Sequence, residues 1–255
     1  MRRTLLAVLW LLLGQATWAE RTEAVILDNS VPGTLVVRGS DGRKLSLRVS
    51  AATRWNSRSS PVLRERFRQG DAVRVDVSGS PPTVASVEDR SEPSRVAGRI
   101  RSLNPGRKEL VLETASGPHS FSIPRGVAVF KENRPASWLD LHQGETVAVL
   151  QWSDGPPALA LFDPISFLVR EYEPQFGPLT ALGTVVSVNE TGPQQGSLQV
   201  RCADGQSRAV SFGPNTRWQL GARFSGPRDF AGVEALVFGS GPARMVVSRR
   251  AVGFW

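Results

Sequence analysis

The chain has 255 residues, 40% of them hydrophobic and 21% charged, with a formal net charge of +8 at pH 7. That balance excludes a disordered chain and a polytopic membrane bundle. A single cysteine, Cys202, excludes an intramolecular disulfide framework, and its alternating surroundings predict a small side chain packed in a strand.

The first residues read as a targeting segment. Arg2 and Arg3 precede an apolar run over residues 5–13, shorter than the ~20 residues a spanning helix needs. Thr17-Trp18-Ala19 then supplies small residues suited to a signal peptidase, which predicts a signal peptide over residues 1–19 cut after Ala19. The alternative is an uncleaved anchor; no cysteine follows the run, which argues against a lipoprotein. Losing Arg2 and Arg3 takes the charge from +8 to +6. Lysine occurs only at Lys44, Lys108 and Lys131, so arginine carries the positive charge. Arginine favours bidentate contacts with phosphate and carboxylate, and a coding bias of the genome accounts for it equally simply.

Residues 20–92 predict a first β module. Ala24-Val25-Ile26-Leu27 is a strand, and Pro32-Gly33 a turn before Thr34-Leu35-Val36-Val37-Arg38. Asp41-Gly42 is a hairpin signal, since this pair tolerates positive φ. In Lys44-Leu45-Ser46-Leu47-Arg48-Val49 the apolar residues share one face. Thr53-Arg54-Trp55 closes that region. Val62, Leu63 and Phe67 predict a two-turn surface helix stopped at Gly70. Asp71-Ala72-Val73-Arg74-Val75 begins a fourth strand, and after Pro81-Pro82 comes a fifth, Thr83-Val84-Ala85-Ser86-Val87.

Residues 93–163 repeat the pattern. Gly98-Arg99-Ile100 aligns with Ala24-Val25-Ile26, Ser116-Gly117 with Asp41-Gly42, and Gln143-Gly144-Glu145 with Gln69-Gly70-Asp71, with a short helical link around Trp138. Residues 164–180 carry Pro164, Pro174 and Pro178 beside Ile165, Phe167, Leu168, Val169, Tyr172 and Phe176, which predicts an extended connector packed on a neighbouring module. Residues 181–255 form the third copy. Gly183-Thr184-Val185 opens it, Asp204-Gly205 makes its hairpin, Thr216-Arg217-Trp218 repeats Thr53-Arg54-Trp55, and Ala231-Gly232-Val233 falls where Gln69-Gly70-Asp71 fell. The apolar tail, residues 251–255, is expected to dock onto the body. Self-similarity of this kind predicts tandem units. Five strands with a helix between the third and fourth is the order of an OB-like barrel, so the expected fold is all-β: three tandem five-stranded OB-like barrels.

Gly98, Gly183, Asp41-Gly42, Asp204-Gly205, Thr53, Thr216 and Gly70-Asp71 together resemble a bacterial family of small β-barrel modules, the domain-of-unknown-function family numbered 5666. The resemblance covers nearly all the chain beyond the signal peptide. It implies exported, repeated β modules and no reaction. The second copy departs from the pattern in having Ser116-Gly117 and no Thr-Arg-Trp; the first lacks the opening glycine.

The candidate site is carried by Arg54, Trp55, Arg217 and Trp218, with Arg64, Arg66, Arg99 and Arg101 nearby. Exposed, these tryptophans would be stacking platforms above a basic groove for an oligosaccharide or single-stranded nucleic acid. Buried, they plug the open end of each barrel, as the apolar Val129-Phe130 at the matching position of the second copy favours. His119 and His142 form no metal-ligand spacing, and no nucleophile elbow or phosphate-cradling loop occurs, so no catalytic residue, metal or cofactor is expected. Asp140 and Glu145 are a pair of carboxylates on one loop. Export argues against a nucleic-acid partner and for an envelope protein or anionic polymer. The expectation is a non-enzymatic scaffold or binding protein in the periplasm or extracellular space; a hydrolase with a site between repeats is the alternative from another class.

Overall fold

The computed structural model describes residues 20–79, 82–221 and 223–249. The expected signal peptide and apolar tail lie outside the described residues. The protein is mostly β-structure arranged in three successive sheets, with one α-helix among the described residues. By packing it forms two units: residues up to Ser94 with Pro124–Ala128 and Gln151–Ala160, and Arg95–Ile123 with Val129–Leu150 and the chain from Leu161 onward.

The first sheet contains β1 (Glu20–Asp28), β2 (Thr34–Gly39), β3 (Lys44–Arg48), β4 (Arg54–Ser57), β5 (Ser60–Pro61), β6 (Ala72–Ser78) and β7 (Thr83–Asp89), in the order β3-β2-β1-β6-β7-β4-β5. Strand β3 also meets β7 in parallel at Arg48↔Thr83. Alternation decides which side is the core: on β2, Leu35 and Val37 are buried while Thr34, Val36 and Arg38 are only half-buried. Leu35, Val37, Trp55, Phe67, Val73, Val75 and Val87 belong to one apolar cluster.

The second sheet contains β8 (Ser94–Asn104), β9 (Glu109–Thr114), β10 (Gly117–Ser122), β11 (Ala128–Lys131), β12 (Arg134–Ala136), β13 (Thr146–Trp152) and β14 (Ala158–Phe162), in the order β10-β9-β8-β13-β14-β11-β12. The third contains β15 (Leu179–Gly192), β16 (Gln195–Cys202), β17 (Ser207–Leu220), β18 (Arg223–Phe224), β19 (Glu234–Phe238) and β20 (Ala243–Ser248), in the order β16-β15-β19-β20-β17-β18 with a further β16–β17 pairing. The sheets thus hold seven, seven and six strands where the sequence reading counted five each. In the first and second, the strand expected to end near Trp55 or Phe130 breaks into two, and in all three the chain after it turns back as a short hairpin arm (β5, β12, β18).

The internal repetition is written in the backbone. The first strand of each copy slips register by one residue, between Ile26 and Asp28, Ile100 and Ser102, and Val185 and Ser187. Such bulges bend a strand sharply. At the same three positions a reciprocal pair of hydrogen bonds ties the bulge to a glycine turn. Gly70 N donates to Ile26 O at 2.7 Å, Gly144 N to Ile100 O at 2.8 Å and Gly232 N to Val185 O at 2.8 Å. Those glycines have φ of +83°, +88° and +79°, a region that costs any other residue. The turn before the fourth long strand is therefore one device used three times.

Two local expectations change. The two-turn helix at residues 62–69 is a single 3-10 turn at Arg64–Arg66, because Phe67 leaves the turn extended to enter the core. The connector is not extended: it is α1 (Pro164–Phe176). Pro164 opens it, Pro174 lies within its last turn at the loss of one backbone hydrogen bond, and Pro178 follows its end. Asp163 caps the start, accepting from Ser166 N at 2.8 Å, and Pro164 takes the first position, where no N–H is needed. Ile165, Leu168, Val169 and Phe176 are buried along one side, and Gly177 at φ +92° ends the helix before Pro178.

Candidate binding surface

Each member of the Thr-Arg-Trp repeat has its own task. Thr53 is buried; its hydroxyl donates to the Val84 carbonyl at 2.7 Å and accepts from Ser50 N at 3.0 Å. Thr216 does the same in the third sheet, donating to the Ala243 carbonyl and accepting from Gly213 N at 3.1 Å. The threonine thus fastens the incoming loop to the last strand of its sheet. With that anchor set, alternation turns the next residue outward and the one after it inward.

Trp55 and Trp218 are only 9% and 6% exposed. Trp55 lies 5.2 Å from the Phe67 ring, and Trp218 meets Phe212 edge-on at 5.1 Å and Phe230 at 5.4 Å. In the second copy Val129 and Phe130 are buried at the matching place, Phe130 stacking on Phe162 at 4.8 Å. Both indole rings are core groups, and neither offers a face to a solute. Arg64 closes the first module over this plug: its guanidinium lies 5.7 Å from the Trp55 ring and donates to Asn29 Oδ1 and to the carbonyls of Asn29, Val31 and Thr34 at 2.7–2.9 Å. Arg64 is therefore spent on backbone carbonyls.

Arg54 and Arg217 are exposed. Arg217 sits over the Phe176 ring at 5.5 Å. Arg54 has no acidic partner among the described residues, and the outer face of β3 repeats that condition. Lys44, Ser46 and Arg48 are exposed along it, and neither Lys44 nor Arg48 has an acidic partner there. Arg38 stands directly opposite Lys44 on β2. The Arg38 guanidinium turns away from this face to the Val127 carbonyl, which leaves Lys44 and Arg48 as its exposed cations. Many other arginines are neutralised locally: Arg21 by Asp76 and Glu88, Arg101 by Glu113, Arg228 by Glu190.

Sequence reasoning missed a buried charge cluster in the first unit. Arg90, at the end of β7, has a side chain 1% exposed. Its Nε donates to Asp154 Oδ1 at 3.0 Å and its Nη1 to the Pro156 carbonyl at 2.9 Å. Ser91 N donates to the other Asp154 oxygen at 2.8 Å, Arg74 Nε to Glu23 Oε1 at 2.8 Å, and Arg38 Nη1 to the Val127 carbonyl at 3.0 Å. Burial alone would raise the Asp154 carboxyl, but the Ser91 donors and the Arg90 charge outweigh it and hold the group below its ordinary range. Periodicity gives no sign of this cluster, since Arg90 and Asp154 are far apart in sequence.

Asp140, Glu145, His119 and Tyr172 each have a local partner. Asp140 caps the Trp138–Asp140 turn, accepting from Ser137 N at 2.8 Å. Glu145 accepts from Lys131 Nζ at 2.7 Å and from His142 N at 3.2 Å; burial pushes its carboxyl up and those donors pull it further down. His119 lies 4.7 Å from the Phe121 ring. Burial raises the Tyr172 phenol, which donates to Gln219 Oε1 at 2.8 Å. A cleft of about 1000 Å³ in the second unit is lined by Thr184, Leu220, Arg223, Val233, Glu234 and Arg249, and its carboxylate, Glu234, is paired with Arg249 at 2.8 Å. Among the described residues no group of three or more His, Cys, Asp or Glu is placed to hold a metal ion, and no helix is long and apolar enough to cross a membrane.

No protein-family model matches the chain, and a search of curated proteins finds no match. Among solved structures, the chain is similar to Drosophila Unr CSD456, at 12% identity and a TM-score of 0.22, covering 87% of this chain and 91% of that one. It is also similar to a multidomain protein with nucleic acid binding domains from Streptococcus pneumoniae, at 10% identity and a TM-score of 0.25, covering 90% of this chain and 72% of that one. At those scores neither carries a functional argument.

Proposed function

We propose that the protein is an exported, non-enzymatic binding protein of the cell envelope, built from three tandem OB-like barrels of the kind found in family 5666, and that it holds an anionic polymer. The barrel reading is supported by strand pairing that returns to its start: from β3 through β2, β1, β6 and β7 back to β3, and from β16 through β15, β19, β20 and β17 back to β16. Export is supported by the apolar run and small residues of the first 19 positions.

The observation that carries the binding reading is the outer face of β3. Lys44 and Arg48 lie exposed on one face of β3, on either side of Ser46, without an acidic partner among the described residues. The contact is electrostatic, because the tryptophans that would have stacked on a ligand are inside their cores. Affinity for a labelled sulfated dextran, titrated at rising salt, tests this. Binding should fall steeply with salt, and the Lys44→Glu/Arg48→Glu pair should weaken it at least tenfold while flattening the salt dependence. Equal binding by the wild type and the pair, or no binding at low salt, would overturn the proposal.

A further inference from the structure

We infer that the buried charge cluster of the first unit is a binding site for one ordered water molecule, held jointly by Glu23, Arg38 and Arg90. Three side-chain atoms of that cluster are buried and lack a hydrogen-bond partner: Glu23 Oε2, Arg38 Nε and Arg90 Nη2. All three residues line one small space, together with Ser40, Gly126 and Pro156. That space offers about 10 Å³ to the centre of a water molecule, close to the least a single water occupies.

Neighbouring contacts of these side chains are set by the fold. Glu23 Oε1 takes the Arg74 Nε proton, Arg38 Nη1 reaches the Val127 carbonyl, and Arg90 Nε and Nη1 reach Asp154 and Pro156. The remaining demand is mixed: one acceptor seeks a proton, and two N–H groups seek a lone pair. A halide accepts from both guanidinium groups but gives Glu23 nothing. A cation satisfies Glu23 and is repelled by both arginines. Water alone donates and accepts, and it needs two to four polar partners of the kind present. Arg90 Nε stands 3.9 Å from Glu23 Oε2, too far for a direct hydrogen bond. The bridge joins β1, β2 and the end of β7 beside residues 151–160 of the same unit, and it satisfies polar groups that burial would otherwise leave unpaired.

A crystal structure of the full chain at about 1.5 Å tests the inference. Expected is a well-ordered water within about 2.6–3.2 Å of Glu23 Oε2 and of at least one of Arg38 Nε and Arg90 Nη2. Direct side-chain hydrogen bonds with no density between them would overturn it. An anomalous peak at the same place after a bromide soak would overturn it in favour of an anion. In solution, the Arg38 Nε proton should exchange magnetisation with a long-lived water in the wild type, and the absence of that transfer would equally overturn it. Reading the wild type keeps the test independent of whether a Glu23 variant folds.

Discussion

The residue-scale logic of this protein is the division of labour inside Thr-Arg-Trp. The threonine hydroxyl holds a loop to a strand, the tryptophan fills a core, and the arginine is left outside. Energies follow that division. Trp218→Ala deletes a ring wedged between Phe212 and Phe230 and should cost about 3–5 kcal/mol in urea unfolding. Arg54→Ala, at an exposed side chain with no acidic partner, should stay within about 0.5 kcal/mol. If the two proved equal, the plug assignment would be wrong. Arg90 belongs to a different economy. Its charge is out of water and held by Asp154 at 3.0 Å and Glu23 at 3.9 Å, so Asp154→Ala removes the nearer, hydrogen-bonded carboxylate and should destabilise by about 1.5–3 kcal/mol, whereas replacing Arg90 by Met together with Asp154 by Leu should cost less. A double-mutant cycle on the urea midpoints measures the difference.

Among elements, the bulged first strand and its glycine turn set each sheet's curvature, and the opening glycine shows why the copies are not interchangeable. A Cβ on Gly183 would lie 2.0 Å from the Arg201 carbonyl oxygen, and one on Gly98 would lie 2.4 Å from that of Glu113. Both contacts are with neighbouring backbone, which cannot swing aside. Gly183→Ala should therefore cost 2 kcal/mol or more in thermal or chemical denaturation, and near-neutral behaviour would refute the close approach. The first copy has Ala24 at this position, opposite Gly39 on β2. Helix α1 answers to its cap: Asp163→Ala removes the acceptor for Ser166 N and should cost about 1 kcal/mol, read as reduced helical signal on mild heating.

For the molecule as a whole, charge sets the response to pH and salt. Asp154 and Glu145 both have carboxyls held below the ordinary range. A carboxyl depressed in the folded state stabilises fully above its unfolded pKa, roughly 4, and that contribution is lost as pH falls through the lower folded value. The urea midpoint should therefore lose nothing to these two groups between pH 5 and 8 and should fall below about pH 4. Asp154→Asn should start lower and fall less over the acid range. An acid dependence unchanged by Asp154→Asn would place the sensitivity elsewhere.

Much of this architecture was legible from the chain alone. Alternating apolar residues assigned the inner face of β2, Asp-Gly assigned the hairpins, and Gly70, Gly144 and Gly232 recurred because glycine takes the φ near +80° of that turn at the least cost. These are local rules, and sequence records local rules directly. The connector is a boundary case: its prolines read as extended until their positions at the start and last turn of α1 are known.

What the tertiary structure decided were the questions of partnership. A tryptophan beside an arginine is a stacking platform or a plug according to what lies around it, and only the packed core places Phe67 against Trp55 and Phe230 against Trp218. An arginine is free or spent according to which carbonyls the fold brings near, and this separates Arg64 from Arg48. Arg90 and Asp154 have no spacing that links them, because an ion pair depends on distance through space and residues remote in sequence become neighbours only when the chain is folded.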